Sequence, residues 1–244
     1  MIVYVTGMHS SGTSLTSNYL HHCGVNMMEG VPVDFLAEDR KFRIISHRIL
    51  KDSGLHRYSP TFNHEHLHPT EITVSKMKSQ IQNAVDLASG SHWGWKAPIN
   101  SLCIWKWLPL LRSKVNKERV VILLVVRHPF EVIKSFYRRK SRKDIHYITN
   151  VNGGKPYLNL EGVWFAYNKS VLDFVDTHEG YDFFVVETES MIQTPDLLTS
   201  ELGLEEIPIK QVLNKERFIG EQKHPFQMGR SKLLWDTLME KRLQ

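Results

Sequence analysis

The stretch Gly7-Met8-His9-Ser10-Ser11-Gly12-Thr13-Ser14 narrows the folds open to this chain more than any other segment. It follows a short apolar run, Ile2 to Thr6, and precedes a segment with helical spacing, Thr13 to His22, closed by Gly24. A strand, a small-residue turn and a helix N-terminus in that order form a cradle. Backbone N–H groups converge on one anion, and the helix dipole adds attraction. The spacing G-x-x-x-x-G-x-S is that of a phosphate-binding P-loop, but Thr13 stands at the lysine position. An ATP or GTP hydrolase uses that lysine on the transferring phosphates, so such a reading loses its main support. The plain alternative is a Gly/Ser turn opening a helix, with no ligand.

The rest of the chain alternates strands and helices. Helical spacing runs over Phe35 to Lys51 and Thr73 to Ala88, and again over Leu160 to Thr177 and Pro195 to Leu202. A further helix starts at Pro129, whose fixed φ suits a first turn. Trp93 to Lys96 reads as a strand end, Val120 to Val126 as a buried strand and Tyr181 to Val186 as another strand. Such alternation, with near-continuous apolar strands, predicts an α/β fold whose parallel sheet is covered on both faces. At 244 residues, with loop stretches no longer than His56 to Pro69 and Asn150 to Pro156, one domain over 1–244 is expected. Two cysteines, Cys23 and Cys103, cannot frame a disulfide-built module. They read as buried apolar residues. No basic leader and no apolar run of membrane length is present, so a cytoplasmic protein without a membrane anchor is expected. The 31 basic against 26 acidic residues, a net charge of +5, admit an anionic partner without naming it.

Two further constellations carry chemistry. Arg127-His128-Pro129 follows the Val120 to Val126 strand directly, with Ser135 eight residues beyond the arginine. Open α/β sheets bind ligands beyond the carboxyl ends of their strands, and a guanidinium matches phosphate oxygens bidentately. Alternatively, Arg127 closes a strand end or pairs with an acid. Trp93-Gly94-Trp95-Lys96-Ala97-Pro98 also puts a cation at a strand end. There Lys96 is either ordinary surface or a fixed charge aimed into a cleft.

Together these segments resemble the PAPS-dependent sulfotransferases, in particular their compact soluble bacterial and viral-type members. Gly7 to Leu15 resembles the family's 5′-phosphosulfate loop, and L-V-V-R-H-P-F-E-V-I-K-S its 3′-phosphate motif. Trp95-Lys96-Ala97-Pro98 is similar to its W-K-D-P-R segment, Trp164-x-x-Tyr167-Asn168 to its W-x-x-Y-N helix, and Val186 to Pro195 to a further strand–helix. The similarity spans residues 2 to about 203. It implies a three-layer, P-loop-like fold with a mainly parallel sheet. It also implies binding of 3′-phosphoadenosine 5′-phosphosulfate (PAPS; product PAP) and sulfuryl transfer to a hydroxyl or amine. Ser10, Ser11, Gly12, Thr13, Ser14, Arg127 and Ser135 would hold the nucleotide, and no metal is expected. Two departures bear on catalysis. Ser10 stands where the family carries Lys or Arg, and K-D-P-R becomes Lys96-Ala97-Pro98-Ile99.

Lys96 is therefore the leading electrophilic stabiliser, and the candidates for general base are His9, Glu38 and the acids Glu29 and Asp34. Glu38-Asp39 occupies a position where similar proteins place an acidic pair, though an acid there equally caps a helix. The cation-rich stretch Lys134, Arg138, Arg139, Lys140, Arg142 and Lys143 is either a solvated helix end or a rim that steers an anion. His64-x-His66-x-His68 admits zinc but lacks companion ligands at a known spacing. Arg230 and Lys232 are further candidates for the 3′-phosphate. The expected partner is a small-molecule or glycan acceptor, with no nucleic acid beyond the nucleotide. The chain's oligomeric state and the identity of its acceptor are not encoded in any motif. Two alternatives stand beside transfer: a PAP- or PAPS-binding protein that no longer transfers, and a small-molecule kinase with an unusual loop.

Overall fold

The computed structural model describes residues 1–27, 38–115, 117–139, 156–212 and 231–243. Among these, four strands form one parallel sheet: β1 (Ile2–Thr6), β2 (Trp93–Lys96), β3 (Val120–Val126) and β4 (Asp182–Glu187), in the order β2-β1-β3-β4. Val5 stands beside Lys96, Thr6 beside Leu124, and Val126 beside Glu187. Every strand thus ends at the same edge. The chain runs outward from β1 to β2, then crosses to the other side of β1 for β3. That reversal, between β1 and β3, is where open α/β sheets leave a crevice for ligands.

The pleat sorts side chains between two layers. Ile2, Tyr4, Trp95, Ile122 and Leu124 face a large core shared with α2 (Arg40–Asp52), α3 (Glu71–Ala88), α4 (Asn100–Arg112), α5 (Pro129–Arg139) and α6 (Pro156–Thr177). Val3, Val5, Val121, Leu123 and Val125 face a smaller core with α1 (Thr13–His22) and the helix α8 (Pro195–Leu202). The short helix α7 (Thr188–Gln193) follows β4 directly, and α9 (Ser231–Glu240) packs near α6. Beyond it the Leu243 amide donates to the Val185 carbonyl, which covers part of the β4 edge. This is the α/β, three-layer architecture with a parallel sheet that the sequence pattern predicts.

Several boundaries differ from the expected ones for local reasons. The helix expected over Phe35 to Lys51 starts, within the described residues, at Arg40, because Asp39 accepts from the Phe42 amide at 2.9 Å and caps it. No helix is predicted over 100–112, yet α4 forms there. Its sequence NSLCIWKWLPLLR is apolar on nearly all sides because it lies between the sheet and the outer helices, and it contains Pro109. A helix apolar all round gives no amphipathic signal. Both cysteines are free and buried, as expected of small apolar residues. Among the described residues, no helix is long and apolar enough to cross a membrane.

Candidate functional site

The loop between β1 and α1 is fixed by backbone geometry before any ligand is considered. Gly7 and Gly12 adopt φ values of 140° and 91°, and Ser10, a non-glycine residue, lies at 72°. These left-handed turns rotate successive amides out of register, the backbone arrangement of anion-binding concavities. Gly12 forms the N-cap of α1 with no side-chain hydrogen bond, and the first turn holds no acid. No side chain of the N-cap residue takes up the first amides of α1. The hydroxyl of Ser11 is buried and has no partner among the described residues.

Hydroxyl groups from other elements hold this loop. The Ser101 hydroxyl of α4 lies 2.7 Å from that of Thr6 and accepts from the Gly7 amide at 3.1 Å. On the opposite side, Thr188, the first residue of α7, bridges the Ser11 carbonyl and the Val126 carbonyl, the latter at 3.1 Å. One buried hydroxyl thus ties the loop to the end of β3. Thr188→Val keeps the volume and deletes both bonds, so a loss of about 1–2 kcal/mol in stability is expected by chemical denaturation.

Lys96 reaches this loop from the end of β2. Its side chain is fully buried, with Nζ 3.2 Å from the Ser14 hydroxyl and 3.5 Å from Glu38 Oε1. Burial lowers its pKa to about 8, and the Glu38 carboxylate opposes part of that fall. Glu38 Oε2 also pairs with Arg43 at 3.3 Å. The acidic pair is thereby divided: Asp39 caps α2, and Glu38 belongs to the site. His9 is half-buried on the loop, its ring 6.1 Å from Tyr58 and 6.2 Å from Tyr167. Glu29 and Asp34 lie outside the described residues.

Arg127 and Ser135 are both buried, one at the end of β3 and the other in α5. The Arg127 carbonyl accepts from the Trp164 indole at 3.2 Å, which fixes α6 against this corner. Its guanidinium pairs through Nε with Glu189 at 2.6 Å and lies 3.9 Å from Glu131. The arginine–acid pairing that the sequence leaves open is therefore present. Glu131 and Ser135 follow Arg127 at four-residue intervals and share one face.

Sequence reasoning missed Thr188, Glu189 and Arg43, which meet Ser11, Arg127 and Glu38. Thr188 and Glu189 follow a strand end directly, a position that could have flagged them.

Other sequence candidates lie away from the loop or beyond the described residues. His64 stacks on Trp105 with ring centroids 3.5 Å apart, and Asn63 caps the short 3-10 turn His64–His66. Among the described residues no group of three metal-ligating side chains gathers. Lys134 lies 3.9 Å from Glu131, whereas residues 140–143 and the Arg139 side chain are outside the described part. Lys232 makes an exposed pair with Asp236 at 2.6 Å, and Arg230 is outside the described residues.

No family model matches the sequence, and no curated protein matches it. Solved structures do. A sulfotransferase domain from the curacin biosynthetic pathway superposes with a TM-score of 0.58 at 15% identity, covering 100% of this chain and 98% of that one. A sulfotransferase domain from the Synechococcus PCC 7002 olefin synthase gives 0.57 at 18% identity, covering 100% and 95%. At such identities the likeness is one of fold, and the fold is that of sulfotransferase domains.

Proposed function

We propose that the protein transfers a sulfuryl group from PAPS to a hydroxyl or amine acceptor. The observation that carries this reading is the buried Lys96 held 3.2 Å from Ser14, at the mouth of a loop whose helix start lacks a side-chain cap. A cation there serves a leaving phosphate without a P-loop lysine. The residues fit the donor at both ends. The amides of the loop and of α1, with Ser11, Thr13 and Ser14, would take the 5′-phosphosulfate, and Arg127 with Ser135 the 3′-phosphate at the neighbouring strand end.

The donor supplies the sulfuryl group; its S–O bond to phosphate breaks as the acceptor oxygen bonds sulfur. Such transfer needs in-line placement and charge stabilisation more than covalent chemistry from the protein. Lys96 is the cation for the charge that builds on the leaving oxygen, and it replaces the Lys or Arg absent at Ser10. Glu38, held between Lys96 and Arg43, orients that cation. His9, among Tyr58 and Tyr167, takes the acceptor's proton. Thr13 disfavours the kinase reading, because its buried side chain stands where a kinase loop carries lysine.

Calorimetric titration with PAP, and with ADP plus magnesium, tests the donor. Micromolar binding of PAP with at least about tenfold weaker binding of the ADP complex is expected. Equal binding of PAP by Arg127→Ala would overturn the 3′-phosphate assignment. Radiolabelled transfer from PAPS to a panel of acceptors separates an enzyme from a protein that only binds the nucleotide.

A further inference from the structure

Arg127 is held from two directions. Its backbone is fixed from α6, where the Trp164 indole donates to the Arg127 carbonyl at 3.2 Å. Its side chain is fixed from α7, where Glu189 accepts from Nε at 2.6 Å. A guanidinium fork matches a phosphate over a narrow range of angles, so both holds bear on how well an anion fits.

The C-terminal stretch 231–243 reaches both holds. On the backbone side, Trp235 of α9 stands edge-on to the ring of His128, the residue after Arg127, with centroids 5.2 Å apart. The same indole lies 6.2 Å from the Trp164 ring. Both spacings are those of favourable aromatic pairs. Trp235 therefore rests on the two residues that adjoin the Arg127 carbonyl. Its own position is set by its helix. The first amide of α9, that of Ser231, donates to the buried Glu161 carboxylate at 3.2 Å, an anion well placed at a helix start. Leu234 and Leu238 then lock α9 into the large core.

On the guanidinium side, the chain leaves α9 and joins β4. The Leu243 amide donates to the Val185 carbonyl at 3.0 Å, and Arg242 pairs with Glu187 at 2.6 Å. Glu187 also accepts from the Ser190 hydroxyl at 2.6 Å. Glu187 ends β4, and Glu189 follows two residues later on α7. Arg242 thus fixes the turn that presents Glu189 to Arg127. A tail that only closed the core would need Leu234 and Leu238; the ring on His128 and the pair at Glu187 converge instead on one arginine.

Resting on the reading in which Arg127 takes the 3′-phosphate, we propose that the C-terminal stretch sets the preference for a 3′-phosphorylated nucleotide. Trp235 and Arg242 are positioning residues. Trp235 acts through His128 and Trp164, and Arg242 through Glu187 and the turn that carries Glu189. Between them they hold the guanidinium at the angle the phosphate needs.

Calorimetry with PAP and with AMP, which lacks only the 3′-phosphate, tests this on the full chain. Wild-type protein is expected to bind PAP at least about thirtyfold tighter than AMP. Trp235→Leu should cut that preference about tenfold and Arg242→Gln about threefold, each with AMP affinity within about twofold of wild type. Trp235→Phe, which keeps a ring against His128, should retain most of it. A tail with a packing role alone would lower the melting temperature and leave the ratio of the two affinities unchanged. The inference is overturned if Trp235→Leu or Arg242→Gln keeps the wild-type preference, or weakens both nucleotides alike. If Trp235→Leu does not fold, Arg242→Gln, whose arginine is exposed, decides by the same criteria. A wild-type protein with no preference for PAP would overturn the 3′-phosphate reading of Arg127 and this inference with it. A wild-type preference that the variants retain removes the role of the tail alone.

Discussion

Replacing Lys96 with methionine is expected to lower sulfuryl transfer by about a hundredfold or more, with PAP affinity within about threefold of wild type. The asymmetry follows from where the ammonium sits. It touches Ser14 and Glu38 at the mouth of the loop; in the proposed reaction it would stand beside the bond that breaks, while the amides and hydroxyls of the loop would hold the ground state. Methionine has similar volume and no charge, and Glu38 keeps its pair with Arg43 at 3.3 Å, so its carboxylate is not left without a cation and the variant should fold. Turnover equal to wild type would remove Lys96 from the mechanism.

Two pH profiles sharpen this result. With a pKa lowered to about 8, Lys96 loses its proton as pH rises past that value, and wild-type turnover should fall there. Stability moves the other way. The unfolded lysine, near 10.4, binds more protons than the folded one between about 8 and 10.4, so unfolding free energy should rise with pH across that window. Lys96→Met should lack this rise. Denaturation curves at pH 8 and 10 measure the difference.

Gly7→Ala is the second large effect. At φ 140° an L-residue is strained, and a Cβ at this position would lie 2.1 Å from the Val125 carbonyl oxygen, a backbone atom of β3 that cannot rotate away. Either the loop or the β1–β3 pairing must shift. A loss of roughly 3 kcal/mol or more is expected, a fall in melting temperature of about 6–12 °C for a chain this size. Because the amides of the loop are displaced together, PAP binding should fall with it. Calorimetric melting and a PAP titration of the same sample check both. A variant with unchanged melting temperature would mean that the loop does not rest against β3 as described.

Much of the architecture is legible in the sequence because short-range signals and burial agree. The seven apolar residues of β3 span the sheet, the Gly7 to Ser14 turn separates a strand from a helix, and Pro129 opens α5. α4 is hidden because a helix buried on all sides has no polar stripe to mark it, and Pro109 argues against it locally. The site is legible by element and not by partner. Lys96, Ser14 and Glu38 are separately readable, but their meeting depends on β2 lying beside β1, a contact across 82 residues of sequence between Lys96 and Ser14. The competition between Glu38 and Asp39 is likewise settled by geometry, since the choice between capping and site depends on the extended ψ of 118° at Asp39. Glu189 escapes sequence reasoning because nothing local predicts that α7 will place it 2.6 Å from Arg127.

The Thr188 bridge has a consequence for the length of molecule the protein can select. By joining the Ser11 carbonyl to the Val126 carbonyl, it pins the start of α1 and the residue before Arg127 to a common post. The two proposed anion sites would then sit at a set spacing, like the jaws of a caliper. A nucleotide with charged groups at both ends gains from holding both jaws at once, since the second contact forms at a high effective concentration. Shorter fragments that reach one jaw would forgo that gain, so under the proposed reading the post would make the pair of sites a gauge of molecular length.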